Sequence, residues 1–237
     1  LRVVACFLVI WQHVTEVYYI NPDLSVPRPN EMSLIGWMNS MTPLEVPLFV
    51  MISGYFLLPL NMDITAFFKR RFTRILFPFV AWCVAYAAYF MAYRGDTLGQ
   101  FLRNVVHIPV NFGVEIGHMW FIYMLLGLYM LVPVLSPWLE QCSKRQLQGY
   151  LWVWVFTTCL PYIHLWFPEF LGECFWNPTP MLHYFTGFAG YFLLGYYIKR
   201  YGALSVCTSL LMLVGGYLFT VAFYQYRLPR VTMVPDL

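Results

Sequence analysis

An arginine and a histidine interrupt the first apolar stretch of this chain. Residues 1–20 are apolar enough to span a bilayer, yet they include Arg2 and His13, with ten residues between them. In an α-helix these two side chains lie on one face, about 16 Å apart along the axis. Ionisable groups inside a membrane are costly, and they usually transfer protons or bind charged substrates. The pair therefore predicts a functional site within the first helix.

Two carboxylates accompany this pair. Glu16 lies one helical turn beyond His13 and close to the same face, and Glu45 interrupts the second apolar stretch. A buried carboxylate needs a cation or a backbone donor, but the sequence leaves the partner of Glu45 open. The structural alternative is that Arg2 extends to the membrane interface, His13 packs as an ordinary side chain, and Glu16 is a solvated outer residue.

Composition is typical of multi-pass membrane proteins. Hydrophobic residues make up 60% of the chain and charged residues 11%, whereas soluble domains carry about 25% charged residues. The net charge of +3 is small and scattered, so we expect no nucleic-acid partner. The six cysteines are far apart and none belongs to a CxxC pair, so we expect neither a disulfide framework nor a metal site.

Apolar runs that can cross about 30 Å at helical rise predict an all-α bundle with about seven transmembrane helices. They lie near residues 1–20, 35–60, 75–93, 118–139, 147–167, 181–198 and 203–226. The second run is the least regular, because polar residues interrupt its first half. The long connection at 94–117 is predicted to form either an interfacial or re-entrant segment at the outer mouth of the bundle, or an ordinary loop.

Basic residues predict the orientation of these helices. They cluster in the second-to-third, fourth-to-fifth and sixth-to-seventh connections, as Lys69, Arg70, Arg71, Arg74, Lys144, Arg145, Lys199 and Arg200. The opposite connections are richer in acidic residues. The positive-inside rule therefore places the basic connections in the cytoplasm. Helix one then starts on the cytoplasmic side, and His13 lies in the outer half of the membrane.

Four sequence blocks carry a family resemblance. They are the Arg2-to-His13 spacing, VPLFVMISGYFLL at 46–58, FFKRRFTRILFPF at 67–79 and GHMWFIYMLLGLYMLVPVL at 117–135. In this order and spacing they resemble the acyltransferase 3 family of membrane enzymes, which O-acylate bacterial surface and secreted carbohydrates. The resemblance covers most of residues 1–135, and only a hydrophobic pattern continues from about residue 140.

The resemblance implies a longer protein than this chain. Family members have about ten membrane-spanning helices, so we expect a fragment that lacks the last ones. The chain also starts inside a helix and ends soon after another. We therefore expect one transmembrane acyltransferase domain over residues 1–237, incomplete at both ends. Within its second block, Ser53-Gly54 predicts a close approach by another helix backbone rather than a nucleophile, since no G-x-S-x-G elbow surrounds the serine.

The resemblance also implies catalytic roles in helix one. His13 matches the family histidine, which as a general base takes a proton from a sugar hydroxyl while that oxygen attacks a thioester carbonyl. Helical spacing suggests that Glu16 holds the imidazole tautomer or stabilises the imidazolium, as the acid does in a catalytic triad. Arg2 matches the family arginine and is assigned to the acyl-CoA donor.

The family's RxxR pattern is matched by Arg71 and Arg74. They share one helical face and can bind the phosphates of acyl-CoA through forked hydrogen bonds. The alternative is a topology signal beneath anionic lipid. Lys69 and Arg70 fit that alternative well. Arg74 fits it less well, because apolar residues follow it immediately.

His118 and Trp120, in the fourth block, match the family pattern near the predicted outer face. His118 is expected to touch the acceptor sugar or close the site, and Trp120 to stack on a pyranose ring. The alternative is that both anchor the helix at the membrane interface.

Together these features predict an acyl-CoA-dependent O-acyltransferase in the cell's inner (cytoplasmic) membrane. It would move an acyl group, expected to be acetyl, from cytoplasmic acyl-CoA to a hydroxyl of a surface or lipid-linked carbohydrate, without a metal. Its other partners are membrane lipids. Transfer can be direct or pass through an acyl-enzyme. Two alternatives remain open: a secondary transporter that uses the intramembrane Arg, His and Glu residues as a relay, and a non-catalytic sensor or scaffold.

Overall fold

The computed structural model describes residues 1–16, 32–166 and 187–227. Every regular element in these ranges is a helix, which confirms the all-α prediction for this part of the chain. The elements are α1 (Arg2–Glu16), α2 (Met32–Asn39), a 3₁₀ turn (Thr42–Leu44), α3 (Glu45–Leu57), α4 (Ile64–Tyr93), α5 (Leu98–His107), α6 (Phe112–Glu115), α7 (Trp120–Gln141), α8 (Lys144–Trp166), α9 (Phe188–Tyr201) and α10 (Val206–Arg227).

Three of the described helical segments are both long and apolar enough to cross a membrane. They are the segment Gly36–Leu57, which contains the second half of α2, the 3₁₀ turn and all of α3, and the two long helices α4 and α7. The apolar parts of α1 and α10 are shorter. A helix is therefore present at each of the seven predicted apolar runs, while length and composition support membrane crossing for three of them.

The second apolar run is interrupted as its sequence predicts. Helix α2 ends at Asn39, and Pro43 lies in the 3₁₀ turn before α3 begins at Glu45. Proline cannot donate a backbone hydrogen bond, so it costs nothing in the first turn of a helix, where that donor would be unpaired, and it favours the start of a new helix. The break leaves polar side chains of this segment available to a neighbouring helix.

Short-range capping begins several helices. The Asp63 carboxylate accepts a hydrogen bond of 2.9 Å from the backbone N–H of Ala66. This cap begins α4 eleven residues before the predicted span, so the basic cluster lies inside the helix. Thr97 and Gln100 form a capping box at the start of α5. Such caps satisfy backbone donors that the first helical turn leaves unpaired.

The chain divides into two compact units, Leu1–Phe56 with Gln148–Leu237 (unit 1) and Leu57–Leu147 (unit 2). In unit 1, α3 and α9 approach each other at glycine. A Cβ atom on Gly54 would lie 1.9 Å from the carbonyl oxygen of Phe192, and one on Gly195 would lie 2.0 Å from that of Met51. The predicted close helix approach at Gly54 is therefore confirmed, and α9 supplies the second glycine.

Helix α8 packs beside α9 in the same unit. The indole N–H of Trp154 donates a 2.9 Å hydrogen bond to the carbonyl of Gly187, and Gln148 donates to the Tyr197 hydroxyl at 2.9 Å. A side chain at Gly190 would overlap the Trp154 ring. The absence of a side chain at this position is what lets the two helices pack closely.

Unit 2 is built on an antiparallel pair, α4 and α7. The ring centroids of Phe67 and Tyr129 lie 6.1 Å apart, and those of Phe79 and Tyr123 lie 5.1 Å apart. As residue numbers rise along α4 they fall along α7. The start of α4 therefore lies beside the middle of α7, and α4 begins on the side of unit 2 toward which α7 ends.

The 94–117 segment folds onto α4 rather than extending as a loop. A buried cluster joins side chains one turn apart on α4 with two from this segment: Phe79, Cys83, Ala87, Phe90, Ile108 and Phe112. The Tyr123 hydroxyl donates to the carbonyl of Ile108 and accepts a 3.0 Å hydrogen bond from the backbone N–H of Gly113. The segment is therefore helical and packed, not an ordinary loop, and its location at the outer mouth of the bundle stays a prediction.

Candidate functional site

Polar side chains join α1 to the interrupted second run in unit 1. The Thr42 hydroxyl donates to the side-chain carbonyl of Gln12, and the Thr15 hydroxyl lies 2.8 Å from the side-chain oxygen of Asn39. Asn39 and Thr42 are only 3% and 1% exposed. Polar groups in apolar surroundings are costly unless they are hydrogen-bonded. These contacts therefore fix how α1 is rotated about its axis, and with it the position of His13.

Glu45 faces His13 across this junction. Their side chains are close enough to interact electrostatically, and the Glu45 Oε2 atom is buried with no hydrogen-bond partner among the described residues. Sequence analysis found Glu45 but left its partner open. No spacing rule connects two helices, so only the fold could identify His13 as that partner. A carboxylate near an imidazole can orient the ring and stabilise its charged form.

His13 is exposed and lies beside an exposed apolar face of α1. That face is an exposed apolar stripe of Val3, Phe7, Ile10 and Val14. Helical geometry places His13 about a quarter-turn from the stripe. Glu16 ends α1, but its side chain lies outside the described part of the structure, so its pairing with His13 stays a prediction.

Arg2 lies at the other end of α1, which is one continuous helix as the sequence predicts. Its guanidinium carbon lies 5.7 Å from the centroid of the Phe56 ring. Beside it is an apolar cavity of about 230 Å³, lined by Leu1, Leu48, Met51, Ile52, Tyr55, Phe56, Gly195 and Ile198. The first residues of α1 and the last turns of α3 and α9 thus meet at one end of unit 1.

Arg71 and Arg74 lie within the first three turns of α4 in unit 2. Arg71 is partly buried, and its Nε atom is buried without a hydrogen-bond partner in the described ranges. Arg74 is exposed, as are Lys69 and Arg70. A buried donor that lacks a partner is destabilising by about 1–3 kcal/mol, and a bound anion would satisfy it. Burial therefore distinguishes Arg71 from the surface cations, whereas sequence position had distinguished Arg74.

His118 and Trp120 lie at the opposite end of unit 2. His118 is in the turn before α7, with its Nε2 atom 3.3 Å from the hydroxyl of Tyr86 on α4. Trp120 is the first residue of α7 and is exposed. Arg71 and Tyr86 are fifteen residues apart on α4, which corresponds to about 22 Å along the helix. Unit 2 thus holds the two predicted pairs at its two ends.

The predicted site residues therefore divide between the two units. Unit 1 carries Arg2 and His13, with Glu45 opposite the histidine. Unit 2 carries Arg71 with Arg74 at one end, and His118 with Trp120 at the other. The three groups hold a histidine near a carboxylate, two guanidinium groups, and an imidazole with an exposed indole, and their catalytic and binding roles stay predictions.

Comparison with known proteins extends this resemblance along the chain. A family model described as an acyltransferase domain, that of the acyltransferase 3 family, matches residues 1–234. The match continues about a hundred residues beyond the last block that sequence inspection identified. Neither curated proteins nor solved structures gave a match. Because the family model covers almost the whole sequence, the chain belongs to the acyltransferase 3 family.

Proposed function

We propose that this protein is a membrane O-acyltransferase that moves an acyl group, expected to be acetyl, from cytoplasmic acyl-CoA to a hydroxyl of a surface or lipid-linked carbohydrate. Membership of the family implies a membrane-bound acyltransferase. The observation that carries the finer proposal is the interaction of His13 with Glu45 beside a buried polar junction. A histidine with a carboxylate partner is a suitable base for hydroxyl attack.

In direct transfer, the acceptor hydroxyl oxygen attacks the thioester carbonyl while His13 takes the hydroxyl proton. The C–S bond then breaks, and the imidazolium returns the proton to the departing CoA sulfur. Glu45 stabilises the imidazolium between these two steps, since opposite charges attract strongly where water is scarce. Glu16, one turn further along α1, is a second candidate for that role.

Arg71 and Arg74 are proposed to bind the phosphates of CoA, with Arg2 assisting from the cytoplasmic end of α1. The buried Nε atom of Arg71 supports this assignment, because it has no partner among the described residues. Guanidinium groups bind phosphate through two parallel hydrogen bonds, which a lysine ammonium cannot reproduce.

The proposed orientation places the basic ends of the helices in the cytoplasm. The start of α1 meets the ends of α3 and α9, and these are the three ends that the positive-inside rule assigns to the cytoplasm. In unit 2 α4 begins on the side toward which α7 ends, so Arg71 and Lys144 belong to one side. His118 and Trp120 would then meet the acceptor from the outer side.

A transfer assay tests the proposed base. His13→Ala and His13→Gln should each lower acyl transfer from radiolabelled acetyl-CoA to membrane glycan by about 10²–10⁴-fold, the usual effect of removing a positioned base. His13→Gln keeps hydrogen bonding but cannot accept the proton. Cys6→Ala, on the same helix and exposed, is the control that should remain active. Near-normal turnover of both His13 variants, in protein shown to be inserted, would exclude this mechanism.

A binding assay tests the donor site separately. Arg71→Ala should weaken acetyl-CoA binding roughly tenfold to a hundredfold, since hydrogen bonds to charged groups contribute about 1.5–3 kcal/mol, and Arg71→Lys should restore it only in part. Arg70→Ala is the matched control, because Arg70 is adjacent in sequence but exposed. Equal affinities of Arg71→Ala and Arg70→Ala would remove Arg71 from the donor site.

A further inference from the structure

A polar cavity lies in unit 2 between the end of α4 and helix α5. Its volume is about 290 Å³, and its lining is Phe90, Arg94, Asp96, Gln100, Arg103, Asn104, His107 and Phe112. The two phenylalanines are buried and form its floor, with ring centroids 6.2 Å apart. This volume is near the lower limit of small-molecule sites, which range from about 300 to 1,000 Å³. The cavity is large enough for one small polar group.

Helix α5 has three distinct faces, and only one of them lines this cavity. One face packs on α4 through Phe101, Val105 and Ile108. A second face is apolar but exposed, with Leu98, Leu102 and Val106 at four-residue spacing, and the exposed Val110 follows just after the helix ends. The third is polar and consists of Gln100, Arg103, Asn104 and His107. The exposed apolar face suits the bilayer surface. The polar residues are therefore gathered on one face of the helix, and that face lines the cavity.

Two guanidinium groups dominate the charge of the cavity. The Arg94 guanidinium carbon lies 3.9 Å from the centroid of the Phe90 ring, a cation–π contact that restricts its position. Arg103 enters from α5, and Asp96 is the only carboxylate in the lining. In the described part of the chain, none of these three side chains forms an ion pair or a side-chain hydrogen bond. The cavity therefore has free donors for an anion and a surplus of positive charge.

We propose that this cavity binds a phosphate ester flanked by hydroxyl groups. The arginines match the oxygens of the phosphate. The Asp96 carboxylate can accept hydrogen bonds from hydroxyl groups next to the phosphate, and the side-chain amides of Gln100 and Asn104 can both donate to them and accept from them. Two kinds of molecule have this chemistry on the outer face of the cytoplasmic membrane, where the proposed orientation places the cavity: a glycosyl phosphate, as in a lipid-linked glycan, and a glycerophosphate lipid headgroup.

The cavity is adjacent to the residues proposed to meet the acceptor. The Tyr86 ring lies 5.6 Å from the His118 ring and 6.2 Å from the ring of Phe90 in the cavity floor. One tyrosine thus separates the cavity from His118. A phosphate held there would place an attached sugar near His118 and Trp120. This assignment to the acceptor rests on the proposed function, whereas the binding itself does not.

Binding is measured with purified full-length chain in phosphatidylcholine nanodiscs, using glucose 1-phosphate as the probe and glucose and inorganic phosphate as comparisons. Glucose 1-phosphate should bind more tightly than either comparison. Arg103→Gln and Arg94→Gln should each weaken it roughly tenfold, and Arg103→Lys should restore part of the affinity. Arg145→Gln removes the same charge from an exposed residue elsewhere in unit 2 and should bind as the unchanged protein does.

Nanodiscs that contain phosphatidylglycerol distinguish the two candidate occupants, a glycosyl phosphate and a lipid headgroup. Loss of glucose 1-phosphate binding in these nanodiscs would identify the lipid headgroup as the occupant, and unchanged binding would favour a glycosyl phosphate. The proposal is overturned if no nanodisc shows a preference for glucose 1-phosphate, or if Arg103→Gln and Arg94→Gln bind it as Arg145→Gln does. This binding assay contains no acyl donor, so it does not depend on catalysis. If glucose 1-phosphate binds here but the separate assay with acetyl-CoA shows no transfer, the proposed function is refuted and this site stands.

Discussion

Replacing Gly54 with alanine tests the helix contact on which unit 1 is built. A Cβ atom there would lie 1.9 Å from the carbonyl oxygen of Phe192, whereas real Cβ atoms essentially never come closer than 3.0 Å to another atom. The obstructing atom belongs to the backbone, so no side-chain rotation can relieve the overlap. Helices α3 and α9 must therefore separate by about 1.1 Å to go from 1.9 to 3.0 Å.

This separation sets the expected loss of stability. Overpacking a well-packed interior costs about 1–3 kcal/mol, against a gain of up to about 1 kcal/mol from the higher helix propensity of alanine. Gly215→Ala in α10 is the matched control, since nothing lies within 4 Å of its new Cβ atom. It should therefore show only the stabilisation from the higher helix propensity of alanine. The two variants should differ by about 1–3 kcal/mol, or roughly 2–12 °C in Tm for a chain of this size.

Intrinsic tryptophan fluorescence during heating, in one detergent and at one protein concentration, measures this difference. Gly195→Ala should behave like Gly54→Ala, because its Cβ atom would meet the Met51 carbonyl oxygen at 2.0 Å. The double variant should lose less than the sum, since helices that have already separated accommodate the second methyl group. If Gly54→Ala melts at or above the temperature of Gly215→Ala, the backbones are not in contact and the argument fails.

Further perturbations address orientation, donor binding and the polar junction. In an otherwise cysteine-free protein, an impermeant thiol reagent should label Cys174 from outside and miss Ser143→Cys, and the reverse pattern would overturn the proposed topology. Arg74→Ala should weaken acetyl-CoA binding less than Arg71→Ala if burial marks the stronger ligand, and a larger effect would reverse that ranking. Glu45→Gln should lower transfer on the order of tenfold or more through His13, whereas unchanged turnover would exclude Glu45 as its partner. Thr42→Val, which removes the hydrogen bonds of this buried hydroxyl to Gln12 and to the Asn39 carbonyl, should cost about 1–3 kcal/mol in unfolding experiments, and an unaltered Tm would contradict the junction.

Much of the secondary structure follows from short-range sequence patterns. Apolar runs located the described helices except α5 and α6, and the polar residues around Pro43 located the break in the second run. The boundaries were less well predicted. Helix α4 starts at Ile64 because Asp63 caps it, a signal that hydropathy does not contain. Both kinds of information are local, since each depends on residues within a few positions along the chain.

The roles within the candidate site were only partly accessible in the same way. The candidates His13, Arg71 and His118 follow from blocks along the sequence, and the family match covers all three positions. Their surroundings do not follow. Which arginine of the basic cluster has a buried atom depends on how α4 packs, and burial favours Arg71. Arginines that are neighbours in the sequence therefore differ in how far they are buried.

By itself, the sequence determined the class of protein, the positions of its helices, the distribution of charge along them and the family. These properties depend on composition and on periodicities within single helices. Only the tertiary structure decided that Glu45 faces His13, that Gly54 and Gly195 allow α3 and α9 to touch, and that α5 directs its polar face to a cavity. Contacts between helices depend on the rotation and crossing of each helix, which side-chain packing across the whole unit determines, and residues distant in the sequence then become neighbours.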